Sequence, residues 1–135
     1  MASILKVDTI TGVSTAGSIA VTGEGNSTTT NLQQGLTKSW LSYNHDGNSV
    51  RDSFNVASVT DVATGRFEPA YTNSMSDANY AAYGSSQHAG TLRLATGSDT
   101  YSTSATDYYV NYNNSGTDTA YDYSKVSAAV SGDLA

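Results

Sequence analysis

Residues 36–71, LTKSWLSYNHDGNSVRDSFNVASVTDVATGRFEPAY, decide the fold class of this chain. Apolar and aromatic side chains recur there with the two-residue period of a β-strand. Turn-forming residues interrupt them at 45–48 and again at 61–65. The stretch holds the only Trp of the chain and both Phe residues. It predicts three short strands in series, at 38–43, 50–60 and 66–71, whose core residues are Trp40, Phe54, Val56 and Phe67.

The strand pattern contains two irregularities and continues beyond residue 71. Val59 has the opposite parity to Val56, which predicts a β-bulge near Ala57. Pro69 lacks an N–H, so its strand is predicted to lie at an edge or to donate nothing there. Further strands are predicted at 80–83, 91–95, 108–112, 120–123 and 125–130. The predicted fold class is all-β, with a β-sandwich or barrel-like body of about seven short antiparallel strands and an extended N-terminal strand arm.

Composition shifts along the chain predict three parts. Residues 1–22 form an N-terminal arm for attachment or oligomerisation, 23–35 a polar linker, and 36–135 the β-rich body. The arm alternates with apolar residues on both faces, which suits pairing with the sheet edge of another chain. Its assembly residues are predicted to be Ile4, Leu5, Val7 and Ile10. A strand that stays within its own domain is the alternative.

Charge and residue types restrict the partners. The chain has 6 Lys and Arg against 12 Asp and Glu, a net charge of −6, so a basic patch for nucleic acid is not expected. It has no cysteine for disulfides or thiolate metal sites. We find neither a signal-peptide pattern in the first twelve residues nor an apolar run of the roughly 20 residues that a membrane span needs, so membrane insertion is not expected.

Large aliphatic residues are scarce. Leu, Ile, Val and Phe make up only about 16% of the 135 residues, while Tyr contributes ten residues. A domain with so little apolar material is marginal alone. Burial at a subunit interface, worth roughly 25 cal/mol per Å², would supply the missing stability. The composition therefore predicts an oligomer. Because Trp40 is predicted to be a core residue, Trp40→Ala should cost about 3–5 kcal/mol if the site is fully buried.

Three segments resemble proteins of marine tailed bacteriophages, of the cyanophage or pelagiphage type. Ser3 to Ile10 is similar to the start of many tail-fibre-like proteins. The second segment resembles a module that recurs in tail-fibre and virion-surface proteins; its matching positions are Lys38, Trp40, Tyr43, 51–61, Gly65, Phe67 and Tyr80. Val126 to Asp133 fits the final strand of that module. The resemblance covers roughly half of the chain, but Glu68-Pro69-Ala70 departs from its alternating third strand.

This resemblance implies a virion structural protein and not an enzyme. The expected protein is a small homotrimeric tail-fibre-like or spike protein, located on the particle surface and involved in host attachment or in particle assembly. Its partners would be other virion proteins, of the tail or of the capsid. Because the chain has no long shaft, a capsid decoration protein is one alternative, and a module that binds host surface glycan is another.

No catalytic residue, metal ligand or cofactor is predicted. The two histidines, His45 and His88, lie in polar segments, and His45 is expected in a solvated turn. Four carboxylates of the last third, Asp99, Asp107, Asp118 and Asp122, are expected in solvated or capped turns, without the fixed pair that glycoside hydrolysis needs.

The tyrosine-rich last third is the predicted recognition surface. Tyr and Asn combine rigid faces with adaptable hydrogen bonds. The predicted receptor contacts are Tyr101, Tyr109, Asn111 and Asn113. Tyr108, Val110 and Tyr112 share the opposite face and are expected to fill the core or the subunit interface.

Overall fold

The computed structural model describes residues 4–12, 19–22, 29–87, 90–94, 101–114 and 117–134. The chain divides into two compact units, Met1–Gly35 and Leu36–Ala135. In the first unit, strand β1 (Ala20–Thr22) pairs antiparallel with β2 (Thr29–Asn31), and a single helical turn, α1 (Leu32–Gly35), follows. The Leu32 N–H donates to the Ile19 carbonyl at 2.8 Å, so the turn is joined to the start of the hairpin.

The N-terminal segment differs from the predicted strand arm. Residues 4–12 have no regular secondary structure in the single chain. Alternation makes a strand feasible, but a strand also needs a neighbour for its backbone N–H and C=O groups. In the predicted linker, residues 23–28 lie outside the described residues, whereas 29–35 contain β2 and α1. The threonines of this segment favour strand structure, and 20–22 provides the partner.

The body is a sandwich-like arrangement of two antiparallel sheets, which confirms the predicted all-β class. Its described residues contain nine strands instead of about seven. The first sheet has the order β4-β3-β11-β7, and the second has β5, β6 and β9 side by side, with β8 and β10 also paired to β9. The strands are β3 (Thr37–Asn44), β4 (Ser49–Phe54), β5 (Val56–Ala63), β6 (Arg66–Tyr71), β7 (Ala81–Ser86), β8 (Gly90–Leu94), β9 (Tyr108–Asn114), β10 (Thr117–Ala120) and β11 (Val126–Ser131).

Aromatic rings dominate the core between the two sheets. Phe67 is fully buried and stacks on Tyr108 with a centroid separation of 5.4 Å. Tyr43 lies against the other side of this pair, 5.2 Å from Phe67. The buried cluster consists of Leu41, Tyr43, Phe67, Tyr108, Val110, Tyr123, Val126 and Ala128. Tyrosine rings thus provide much of the buried apolar surface that the few aliphatic residues do not.

Two of the four predicted core residues lie on the outer face instead. Trp40 is 38% exposed and Phe54 is 53% exposed, directly opposite each other on neighbouring strands. The residues of the other parity of β3, Leu41 and Tyr43, face the second sheet and are buried. The prediction was right for Phe67 and wrong for Trp40 and Phe54, because alternation separates the two faces of a strand without showing which one meets another sheet.

Asn55 explains why the predicted strand 50–60 is two strands. Its φ of 57° lies in the left-handed region, and there the chain leaves the first sheet and enters the second. Its side-chain amide donates to the Lys38 carbonyl at 2.9 Å and to the Asn73 carbonyl at 3.1 Å, while its Oδ1 accepts from the Asn73 N–H at 2.7 Å. The predicted bulge is confirmed, since the β5–β6 register shifts between Val56 and Ser58.

Pro69 is not on an edge strand. Its strand β6 lies between β5 and β9. The β6–β9 pairing covers only Arg66 and Phe67, so Pro69 lies beyond that ladder. The Pro69 carbonyl accepts from the Thr106 N–H at 3.2 Å. A proline is accommodated here because the neighbouring segment hydrogen-bonds to the Pro69 carbonyl and does not require a backbone N–H from this residue.

Replacement of Asn55 tests this corner. We expect Asn55→Ala to lower the free energy of unfolding by about 2 kcal/mol, since alanine is strained at positive φ and leaves the Lys38 and Asn73 groups without their partner. Asn55→Gly adopts the same backbone conformation without strain, so it should lose less. Urea unfolding of both variants measures the difference. Equal and negligible losses would contradict the assigned role of Asn55.

Candidate functional site

The structure describes the side chains of three of the four predicted receptor contacts. Tyr101 is 39% exposed, with its ring 5.1 Å from that of Tyr80. Tyr109 is half-buried, and Asn111 is only 5% exposed. The side chain of Asn113 lies outside the described residues. The burial of Asn111 argues against a contact role, because Asn111 sits in the middle of β9, paired on its two sides with β8 and β10.

A buried ion pair accounts for the environment of Tyr109. Asp107 is fully buried and accepts a hydrogen bond of 2.8 Å from Arg66 Nε, and the same carboxylate oxygen contacts the second guanidinium nitrogen. The guanidinium carbon lies 5.4 Å from the centroid of the Tyr109 ring. The expectation of a solvated turn was therefore wrong for Asp107, whose charge is compensated by a cation on a neighbouring strand. Asp99 lies outside the described residues.

His45 is buried as well, at 1% exposure, which contradicts the solvated turn expected for it. Its Nε2 lies 3.3 Å from Asp122 Oδ1 and 3.4 Å from Asp61 Oδ1. The His45 N–H donates to the Tyr123 carbonyl at 3.0 Å. A signal for this burial exists in the sequence, since His45 has the same strand parity as the buried Tyr43. His88 lies outside the described residues.

The cluster of His45, Asp61 and Asp122 has a structural role. Asp122 Oδ1 also accepts a 2.6 Å hydrogen bond from the Gly65 N–H, so one carboxylate joins the β3–β4 turn to the β5–β6 turn. No group of three or more His, Asp or Glu residues in the part of the chain that the structure describes is arranged to hold a metal ion. Among the same residues, no helix has the length and apolar character to cross a membrane.

Two tyrosines link the core to the segment before β9. The Tyr71 hydroxyl hydrogen-bonds Thr106 Oγ1, and the Tyr80 hydroxyl lies 2.6 Å from the same atom. The Tyr80 hydroxyl also donates to the Ala105 carbonyl at 3.1 Å. Burial raises the pKa of the Tyr71 phenol far above its ordinary value of 10.0. It raises the pKa of Tyr108 in the same direction.

These shifts predict alkaline unfolding. The folded state holds the Tyr71 and Tyr108 protons more tightly than the unfolded state, so their contribution is fully present below pH 10.0 and is lost as pH rises above it. We expect circular dichroism and tyrosinate absorbance to change together. Tyr108→Phe should make this loss shallower, whereas Tyr121→Phe, at a side chain that is 51% exposed, should not. Ionisation of every tyrosine without unfolding would contradict the prediction.

The outer face of the first sheet carries aromatic side chains in one cross-strand row. Phe54 pairs with Trp40, Trp40 with Ala129, and Ala129 with Tyr83. The row therefore crosses all four strands of the sheet in the order Phe54, Trp40, Ala129, Tyr83. Tyr83 is 50% exposed, comparable to Phe54. Three aromatic rings thus share one face around a single small residue.

A groove lies between Trp40 and Tyr83, and we call it the aromatic groove. It has a volume of about 280 Å³, and Ser127 and Ala129 of the intervening strand line it. The sequence pattern did not predict this site. Alternation placed Trp40 on the opposite face of its strand from Leu41 and Tyr43, but only the register with β11 and β7 places it beside Tyr83 and Ala129.

Hydrogen bonds fix the Tyr83 ring in place. Its hydroxyl lies 3.2 Å from Ser131 Oγ and 3.3 Å from Thr37 Oγ1. These two hydrogen bonds lower the pKa of the Tyr83 phenol, and the bond with Ser131 has the larger effect. The ring thus reaches from β7 over β11 to the start of β3 while half of its surface stays open to solvent.

Comparison with known proteins found no matching family model, no matching curated protein and no matching solved structure.

Proposed function

We propose that this chain is a non-enzymatic structural protein of a tailed bacteriophage, displayed on the particle surface as a homotrimer. Its role is host attachment or particle assembly, with other virion proteins as partners. One observation carries the proposal: the N-terminal segment 4–12 exposes its large aliphatic side chains. The exposed fractions are 78% for Ile4, 80% for Leu5, 53% for Val7 and 58% for Ile10. The similarity of Ser3 to Ile10 and of 38–67 to tail-fibre-like proteins supports it.

Burial of these aliphatic side chains favours docking of the segment on another chain. Burial of a Leu, Ile or Val side chain is worth about 1.5–3 kcal/mol, so four of them offset much of the entropy of ordering the segment. An extended segment adds most readily to an open sheet edge. The body has such edges at β4 in the first sheet and β5 in the second. We therefore propose that the arm of one copy pairs with the body of the next.

A capsid decoration protein is the alternative. It would use the same exposed arm to dock on the particle, so the arm does not distinguish it from a spike. The location of the protein on the particle distinguishes the two. Mass spectrometry of separated tails and capsids from phage particles that encode the chain should find it in one fraction, and its absence from both would contradict a virion role.

The solution mass tests arm-mediated assembly. We expect the intact chain to sediment as three times its mass of 14.1 kDa. A variant with serine at Ile4, Leu5, Val7 and Ile10 should be monomeric, and so should a chain without residues 1–22. A matched variant with serine at Lys6 and Thr9 of the same segment should remain trimeric. A monomeric intact chain would contradict the trimer, and a trimeric serine variant would place assembly in the body instead.

A further inference from the structure

We propose that the aromatic groove binds one pyranose ring of an uncharged glycan. The site lies within the unit Leu36–Ala135, and it differs from the tyrosine-rich surface predicted from the sequence. It does not depend on the arm or on the trimer. The inference goes beyond a structural role, because it assigns the outer face of the first sheet a ligand of defined chemistry.

The groove has the dimensions of a single small ring. Trp40 and Tyr83 pair with Ala129 from its two sides, so one strand, β11, separates their strands, whose backbones are about 10 Å apart. The floor between them consists of the small residues Ala129 and Ser127. Its volume of about 280 Å³ falls just below the roughly 300–1,000 Å³ of pockets for drug-sized ligands. A monosaccharide unit suits this space better than a helix or a bulky cofactor.

The chemistry of the face matches the two sides of a sugar. Aromatic rings offer electron-rich faces to the C–H groups of a pyranose. The next row of the same sheet face provides polar groups: Ser42 pairs with both Asp52 and Ser127, and Ser127 pairs with Ser85. These residues are each two positions from the aromatic row, so they share its face. Sugar hydroxyls can bond this hydroxyl row while the ring lies against the aromatic side chains.

Charge favours a neutral ligand. The side chains that line the groove are aromatic, aliphatic or hydroxyl-bearing, and none carries a formal charge at neutral pH. The nearest row adds one carboxylate, that of Asp52, which accepts hydrogen bonds from hydroxyl groups. The chain also has a net charge of −6. Anionic sugars are therefore disfavoured, whereas an uncharged hexose loses nothing to repulsion.

The groove is organised before binding. Because Ser131 and Thr37 hold the Tyr83 hydroxyl, the exposed ring has a fixed orientation. A rigid aromatic side chain loses little conformational entropy when a ligand binds. Trp40 is flanked in register by Phe54 and Ala129. The two aromatic side chains, Tyr83 and Trp40, are therefore in position before a sugar ring binds.

Trp40 provides a direct measurement, since it is the only tryptophan in the chain. We would titrate the full chain with a panel of neutral methyl hexopyranosides and their short oligosaccharides and record its fluorescence. At least one sugar should give a saturable change with a Kd on the order of 1 mM, the affinity expected for a ligand of this size. Tyr83→Ala should weaken binding at least tenfold. The matched Tyr121→Ala, at a similarly exposed tyrosine, should leave it unchanged.

A second variant keeps the test decisive if Tyr83→Ala is unstable. Ser127→Gln fills the floor while both aromatic walls remain, so it should abolish the fluorescence change in a protein with unaltered melting. Lack of response to the whole panel by the folded chain would overturn the proposal, as would unaltered binding by both groove variants. Trp40 emission that changes with protein concentration alone, and not in Tyr83→Ala, would assign the face to a second copy instead. None of these outcomes alters the arm test of the solution mass.

Discussion

Gly65→Ala is expected to lower the free energy of unfolding by about 2–5 kcal/mol, from the cost of left-handed backbone and of a clash that cannot relax. Gly65 has a φ of 70°. A Cβ there would lie 2.5 Å from the Val110 carbonyl oxygen, 2.8 Å from the Tyr121 nitrogen and 2.9 Å from the Ala120 Cβ. Two of these three atoms are backbone. The strands around them would have to separate to admit a methyl group.

The position of Gly65 makes this cost global. Its carbonyl accepts from the Val110 N–H at 2.7 Å, and its N–H donates to Asp122 at 2.6 Å. The turn between β5 and β6 is therefore joined to β9 and to the segment after β10. Displacement of this one turn would disturb both connections, so we expect loss of cooperative unfolding as well as a lower denaturation midpoint.

Gly47→Ala is the matched control. The three atoms nearest to a Cβ at Gly47 all belong to the side chain of Asn44, and that amide can rotate away. We expect a loss of about 1 kcal/mol or less, the value of one exposed hydrogen bond. Guanidinium unfolding monitored by circular dichroism compares the two variants. A Gly65→Ala protein as stable as Gly47→Ala would show that the strands around Gly65 yield readily.

Phe67→Ala is expected to cost about 3–5 kcal/mol, the range for a fully buried aromatic residue. The Phe67 ring has 0% exposure and lies between those of Tyr43, His45 and Tyr108, with centroid separations of 5.2, 5.3 and 5.4 Å. Its removal leaves a cavity that both sheets share. Since total stability is typically about 5–15 kcal/mol, this variant should lose a large fraction of its stability.

Phe54→Ala is the same substitution at the only other phenylalanine. Because Phe54 is 53% exposed on the outer face, we expect a loss of about 1 kcal/mol or less. Thermal and denaturant unfolding measure both variants. Equal losses at the two positions would contradict the assignment of inner and outer faces. Trp40 is 38% exposed in the same row. Trp40→Ala should therefore also cost less than Phe67→Ala.

Comparison of Phe67→Ala with Phe54→Ala also separates residues that stabilise the core from residues that form the outer face. Phe67 and Gly65 hold the sheets together, whereas Phe54 and Trp40 contribute rings to the outer face. A variant of the aromatic row should therefore remain folded and change binding. A variant of the core should lose binding only through loss of the fold. This separation makes the sugar titration interpretable.

Much of the strand content followed from the sequence. Alternation located β3, β6, β9 and β11 to within a few residues, and the alternating residues Val126, Ala128 and Val130 of β11 are all buried. The bulge beside Ala57 was also predictable, because Val56 and Val59 differ in parity. These features depend on residues that are close in sequence, so hydrophobic periodicity and turn-forming residues predict them directly.

The separation of β4 from β5 was not predictable in this way. Phe54 and Val56 have the same parity, and an uninterrupted strand would place both on one face. Asn55 instead adopts positive φ and passes the chain from one sheet to the other. Its amide is held by Lys38 and Asn73, residues far along the chain. Only the assembled fold provides these partners, so the sequence pattern could not reveal the corner.

The sequence alone determined that the chain is all-β and that its strands have two distinct faces. Tertiary structure decided which face is buried. It placed Leu41 and Tyr43 against the second sheet and left Trp40 on the outer face, and it brought Tyr83 and Ala129 beside Trp40. The physical reason is that alternation is a property of one strand, whereas burial and the aromatic groove depend on the register and packing of strands that are distant in sequence.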